Sequence, residues 1–82
     1  MQVRTVVDGD GKSWEAYAAY AIVAHGKEGA ILAFRSSGAE TTEVVHSTVT
    51  FNSVAAAELA LDSMSEKELL RRLSLSRKAA GV

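Results

Sequence analysis

Met64-Ser65-Glu66-Lys67-Glu68-Leu69-Leu70-Arg71-Arg72-Leu73-Ser74-Leu75 is the stretch where a sheet-forming body gives way to a helix. Ser65 is a favoured N-cap, and Glu68 stands three positions on, where its carboxylate reaches back to the Ser65 N–H. Met64 and Leu69 hold the N′ and N4 positions of a hydrophobic staple. Glu66 and Glu68 suit the positive end of a helix dipole, and Arg71, Arg72, Arg77 and Lys78 suit the negative end. Gly81 falls where a C′ glycine closes a helix. A helix is therefore expected from Glu66 to about Ala79, with Leu69, Leu70 and Leu73 facing the core. The apolar stripe weakens after Leu73, so the last turns are expected to project from the body.

Upstream of this helix there is no proline, so turns must come from glycine, serine and Asx residues. They cluster at Asp8-Gly9-Asp10-Gly11, Gly26-Lys27-Glu28-Gly29, Ser36-Ser37-Gly38 and Asn52-Ser53, separated by runs of strand length, which is the signal of a meander. Val3 to Val7 is β-branched and feeds Asp10-Gly11, a favoured type I′ hairpin pair. The next run begins near Ser13 and extends toward Ala24. Its alanines also suit a helix, but Trp, Tyr, Ile and Val punctuate it and turns bracket it, so it is read as a strand. Trp14, Ala16, Ala18, Tyr20 and Ile22 form one period-two set, and Glu15, Tyr17, Ala19, Ala21, Val23 and His25 the other. Trp14, Tyr20 and Phe51 are expected in or at the edge of the core. Tyr17, with Val23 and His25, offers a contact surface unless the helix packs over it.

Ala30 to Arg35 is nearly all apolar and reads as a central strand buried on both sides. Thr41 to Phe51 is the clearest strand, with Val45, Val49 and Phe51 on one face. Val54 to Asp62 suits a short helix capped by Asn52 or Ser53. Residues 1–82 thus make one α+β domain, mostly β: strands over about 2–51, a short helix over 54–62 and a longer one over 66–79. The architecture expected is a small antiparallel barrel or a strongly curled sheet with a C-terminal α-helix.

Eighty-two residues bury a modest core, and a partner would add stability by mass action. Cysteine is absent, which removes disulfides and thiolate metal sites. No segment approaches the roughly 20 apolar residues of a membrane span, and the first residues lack the apolar run of a signal peptide, so a cytoplasmic protein is expected. All ten acidic residues lie within residues 1–68, whereas residues 69–82 hold four basic ones and no acid. Arg71, Arg72, Arg77 and Lys78 therefore offer either a solvated helix end or a docking patch for an anionic partner or membrane surface.

Motifs of chemistry fail one by one. A calcium loop starting at Asp8 would place Lys12 and Ala19 at its fifth and twelfth positions, where oxygen ligands are needed. Gly11-Lys12-Ser13 looks like the end of a P-loop, but Val6 stands where the first glycine is required. His25 and His46 match no ligand spacing, and no serine sits in a nucleophile elbow. The carboxylate pairs Glu40/Glu43 and Glu66/Glu68 read as a loop edge and a helix start. Lys and Arg hardly occur in the strands, which argues against nucleic acid. No catalytic residue, metal ligand or cofactor site is expected.

Arg4-Thr5-Val6-Val7-Asp8 with Trp14-Glu15, together with Ser65-Glu66-Lys67-Glu68-Leu69-Leu70, resembles a family of short bacterial proteins. The chain departs from that pattern in the alanine-rich Val54 to Leu61 stretch. The resemblance implies an SH3-like fold and no transferable catalytic residues. It also implies a membrane-extrinsic accessory subunit of a bacterial photosynthetic reaction-centre and light-harvesting complex, peripheral on the cytoplasmic face. The function expected is therefore a non-enzymatic protein–protein interaction module that binds other subunits through Arg71, Arg72, Arg77, Lys78 and Tyr17. The alternative is a free cytoplasmic regulatory or small-ligand-binding β-barrel.

Overall fold

A computed structural model describes residues 3–36 and 43–81. The strands are β1 (Val3–Val7), β2 (Ser13–Ile22), β3 (Glu28–Ser36) and β4 (Val44–Phe51), followed by helices α1 (Val54–Ser63) and α2 (Glu66–Ala79). The strands form one sheet in the order β1-β2-β3-β4, each antiparallel to the next. The sheet does not close: β1 and β4 are its edges, so of barrel and sheet the open sheet is the one formed. The fold is small α+β, mostly β. Thr41, Thr42, Ser37, Gly38, Glu40 and Gln2, which entered the strand, turn and carboxylate expectations above, lie outside the described residues.

Both helices pack on one face of the sheet. The register sets Arg4, Ala16, Phe34 and Val45 in one cross-strand row and Val6, Trp14 and Ser36 in the next. Trp14, Ala16, Ala18, Leu32, Phe34 and Val45 are buried there against Ala57 and Leu61 of α1 and Leu69 and Leu73 of α2. α1 lies over β2 and β3, and α2 over β4 and β1. This explains the alanines of β2. Ala16 and Ala18 lie on a strand that α1 crosses, so small side chains let the helix approach while Trp14, Leu32 and Phe34 fill the flanks.

Both helix starts are capped as their sequences imply. Ser53 Oγ accepts from the Ala56 N–H at 3.1 Å, and Ser65 Oγ accepts from the Glu68 N–H at 3.1 Å. The reciprocal half of the capping box is not made, because the Glu68 carboxylate turns along the helix to Arg72 and Arg71 at 3.0 and 3.6 Å. At the other end, the Gly81 N–H bonds the Lys78 carbonyl. The last turns do not project. Ser76 is buried, its hydroxyl donating to the Arg72 carbonyl of its own helix at 2.8 Å, and Arg77 reaches Asp8 and the Trp14 ring, which keeps α2 on the body beyond Leu73.

Other expectations are corrected by neighbours that the sequence does not reveal. The first hairpin is not type I′. The Gly11 N–H bonds the Asp8 carbonyl, and only Gly11 takes a positive φ (83°), so a turn at Gly9-Asp10 is followed by one left-handed residue. Tyr20 is 60% exposed and is no core residue; its inner-face position lies beyond the helices, and its hydroxyl reaches Glu28. Val49 is exposed because β4 carries extra residues between His46 and Thr50, opposite Ala33 and Ile31. Within that bulge the Ser47 hydroxyl accepts from the Leu32 N–H at 3.1 Å and donates to the Val49 carbonyl at 2.9 Å, filling a gap in the ladder.

Gly29, read above as part of a turn, belongs to β3 and is buried. A Cβ there would lie 2.5 Å from the Phe51 carbonyl oxygen and 2.9 Å from Val23 Cγ1. Because the nearer obstacle is backbone, Gly29→Ala should cost about 1–3 kcal/mol, as overpacking does. A urea midpoint unchanged from wild type would show that β4 yields freely.

Candidate functional site

Two surfaces carry the polar and aromatic residues singled out by sequence, and they lie on opposite sides of the sheet. The first joins the β1–β2 hairpin to α2. Asp8 Oδ1 accepts from the N–H groups of Asp10 and Lys12, both at 2.9 Å, so the carboxylate organises its own turn. Its Oδ2 accepts from the Trp14 indole N–H at 2.8 Å and lies 3.7 Å from Arg77 Nη1. The indole N–H, then the Lys12 and Asp10 amides and the Arg77 charge, together outweigh desolvation and hold the Asp8 carboxyl below its ordinary value of 3.8.

The buried Trp14 ring is the hub of this cluster. Lys12 Nζ lies 5.1 Å from its centroid and the Arg77 guanidinium 5.5 Å, both within cation–π range. Lys12 also reaches Glu43 at 3.5 Å, which ties the hairpin to the start of β4. Among the described residues, Glu43 Oε2 and Arg77 Nε are buried without a hydrogen-bond partner. Between the hairpin and α2 runs a groove of about 390 Å³, with Asp8, Asp10, Leu70, Leu73, Arg77 and Lys78 on its walls.

The four basic residues that follow Leu70 in α2 are thus divided. Arg71 and Arg72 share the Glu68 carboxylate, Arg77 is held by Asp8 and Trp14, and Lys78 is exposed on the rim of the groove. Three of the four cations lie within 4 Å of a carboxylate of their own chain, which reduces the field they present to a partner. Sequence reasoning placed Asp8 in a turn but missed its link to Trp14 and Arg77. The Asp-x-Asp-Gly run followed by a Trp was the available signal; the arginine that completes the cluster lies more than sixty residues away.

Tyr17 belongs to the second surface, the outer face of the sheet. The register aligns Val3, Tyr17, Ala33 and His46 in one row, Thr5, Glu15, Arg35 and Val44 in the next, and Ala19, Ile31 and Thr50 in a third. Neither helix covers this face, so the contact surface allowed for Tyr17 is open, although Val23 and His25 lie at and beyond the end of β2. The Arg35 guanidinium lies 5.4 Å from the Tyr17 ring centroid and bonds Glu15 through Nε and Nη2 at 3.2 and 2.8 Å. Those bonds and the Glu15 charge hold Arg35 above its ordinary value, so the only charge pair in these rows is internally neutralised.

His25 and His46 are both exposed, one in the β2–β3 connection and one on the outer face. Among the described residues, no group of three or more potential ligands is gathered for a metal ion. Among the same residues, no helix is long and apolar enough to cross a membrane. No protein-family model, curated protein or solved structure matches this chain.

Proposed function

We propose that this protein is a non-enzymatic protein-interaction module that docks through the outer face of its sheet. The observation that carries the reading is the one-sided packing of the helices, which leaves Val3, Tyr17, Ala19, Ile31 and Val44 on a face that neither helix covers. Sheets of this kind bury one face and solvate the other with polar residues, whereas here apolar side chains are interspersed with the polar ones on the outer face and its charge pair is neutralised. The family resemblance extends the proposal: the module is an extrinsic subunit on the cytoplasmic side of a membrane complex, possessing Arg71 and Lys78 as exposed cations for orientation.

The test is recovery of the tagged chain from gently solubilised native membranes, with partners identified by mass spectrometry at low and high salt. Wild type is expected with a stoichiometric membrane complex. Tyr17→Ser combined with Val44→Ser should abolish recovery while the variant still unfolds cooperatively. Arg71→Glu with Lys78→Glu should weaken it at low salt only. A soluble wild-type protein with empty membranes would sink the proposal.

A second reading, a small-ligand-binding domain, is favoured by the groove between the hairpin and α2, whose volume lies within the range of ligand sites. It requires the melting temperature of the purified chain to rise with one small metabolite, and the rise to vanish in Lys78→Ala.

A further inference from the structure

The two edges of the sheet are built differently. β4 is interrupted by the bulge at Ser47, whose side chain replaces a backbone group in the ladder, and such irregularity blunts an edge against pairing. β1 has no such protection. Its five residues pair with β2 in an unbroken register and include no proline, lysine or bulge. Its one charged residue, Arg4, is turned inward, donating to the carbonyls of Leu61 and Met64.

The phase of β1 shows which groups the open edge presents. The Asp8 N–H bonds the Lys12 carbonyl, so Asp8 points its backbone toward β2, and by alternation Val6 and Arg4 do the same. The N–H and C=O groups of Val3, Thr5 and Val7 therefore face away from the sheet. The side chains of these three residues all lie on the outer face, and Val3 and Val7 are exposed. Read from either end, the outward residues run Val, Thr, Val, with Thr5 at the centre.

We infer that β1 pairs antiparallel with β1 of a second copy of this chain, about a twofold axis at Thr5, joining two sheets into one. In that register Val3 stands opposite Val7 of the second copy and Thr5 opposite Thr5. Every outward N–H of one strand meets an outward carbonyl of the other. The β-branched side chains meet on the outer face as directly opposed pairs, the arrangement that stabilises strands. Opposing β1 to a different copy of itself uses the edge's own symmetry, which an isologous interface requires. Five residues of strand make a small interface, below the roughly 1,200 Å² of stable complexes, so the dimer is weak and concentration-dependent. The inference concerns the chain alone and stands or falls separately from docking on a membrane complex.

Sedimentation equilibrium of the purified full chain, from micromolar to millimolar, is the test. The weight-average mass should rise toward twice the monomer mass. Thr5→Pro removes an outward N–H at the axis without touching the β1–β2 ladder, a position where edge strands accept proline, and should leave a folded monomer. Should Thr5→Pro fail to fold, the charge variants still decide, because they alter only exposed side chains. Val3→Lys with Val7→Lys sets like charges opposite each other and should weaken association at least tenfold. Val3→Lys with Val7→Glu sets opposite charges across the same axis and should restore it. A monomeric wild type throughout, or association equal in both charge variants, would overturn the inference.

Discussion

Trp14→Ala should remove a large share of the chain's stability and bring its urea midpoint far below the wild-type one. A domain of 82 residues holds a net stability of about 4–12 kcal/mol. Truncating a fully buried tryptophan costs about 3–5 kcal/mol, and this ring is 0% exposed. The loss goes beyond packing, since the indole N–H is the largest influence holding Asp8 ionised, and Lys12 and Arg77 both lie near the ring. Circular dichroism and urea titration check it; a cooperative transition near the wild-type midpoint would show that the hub is dispensable.

Trp14→Phe separates the two contributions, because it keeps an aromatic ring and removes the N–H. A carboxyl whose folded value lies below its unfolded value favours the native state at pH above the unfolded value, and that contribution fades as pH falls through the folded value. Asp8 is such a group. In Trp14→Phe it should titrate closer to its ordinary value, so the variant's deficit in urea midpoint is largest near neutrality. The deficit should narrow as pH drops below about 4, where an aspartate of the unfolded chain starts to protonate and the native one still holds its charge. A deficit that stays constant down to about pH 2.5 would mean that the hydrogen bond is energetically silent and only ring volume counts.

Arg4→Ala is expected to cost about 1.5–3 kcal/mol, the range for hydrogen bonds to a charged group. Arg4 donates through Nη1 to the Leu61 carbonyl at 2.9 Å and to the carbonyl of Met64, the C-cap of α1. α1 has no basic residue in its own last turn, so the positive charge that complements its C-terminal end comes from β1 instead. Removing it leaves two carbonyls short of a donor and loosens a polar tie between the first strand and the first helix. Amide exchange should accelerate in α1 more than in α2, and Arg4→Lys should recover part of the loss. Equal acceleration everywhere would assign Arg4 to packing alone.

What sequence made legible follows the distance over which each feature is decided. Ser65, Glu66 and Gly81 are local instructions, and α2 occupies Glu66–Ala79 as they imply. The alternation in β2 placed Trp14 and Tyr17 on opposite faces, because period two needs no knowledge of neighbours. Tyr20 shares the parity of Trp14 yet lies exposed, since parity names a face and says nothing of how far a helix extends across it. The Ser47 bulge depends on β3, and the roles of Arg4 and Arg77 depend on elements more than fifty residues away. The candidate surfaces were legible to the same degree. Tyr17 lies on an open face as its parity allowed, whereas the basic helix end, read as one patch, is divided among Glu68, Asp8 and the groove rim.

The sole tryptophan stands where the segments most distant along the chain come together. Strands joined to their immediate successors need only short loops to close, whereas the meeting of the hairpin with α2 closes the longest one. Indole emission is thereby a built-in optical clock: without dye or label, it times the closing of the largest loop against the faster assembly of the meander.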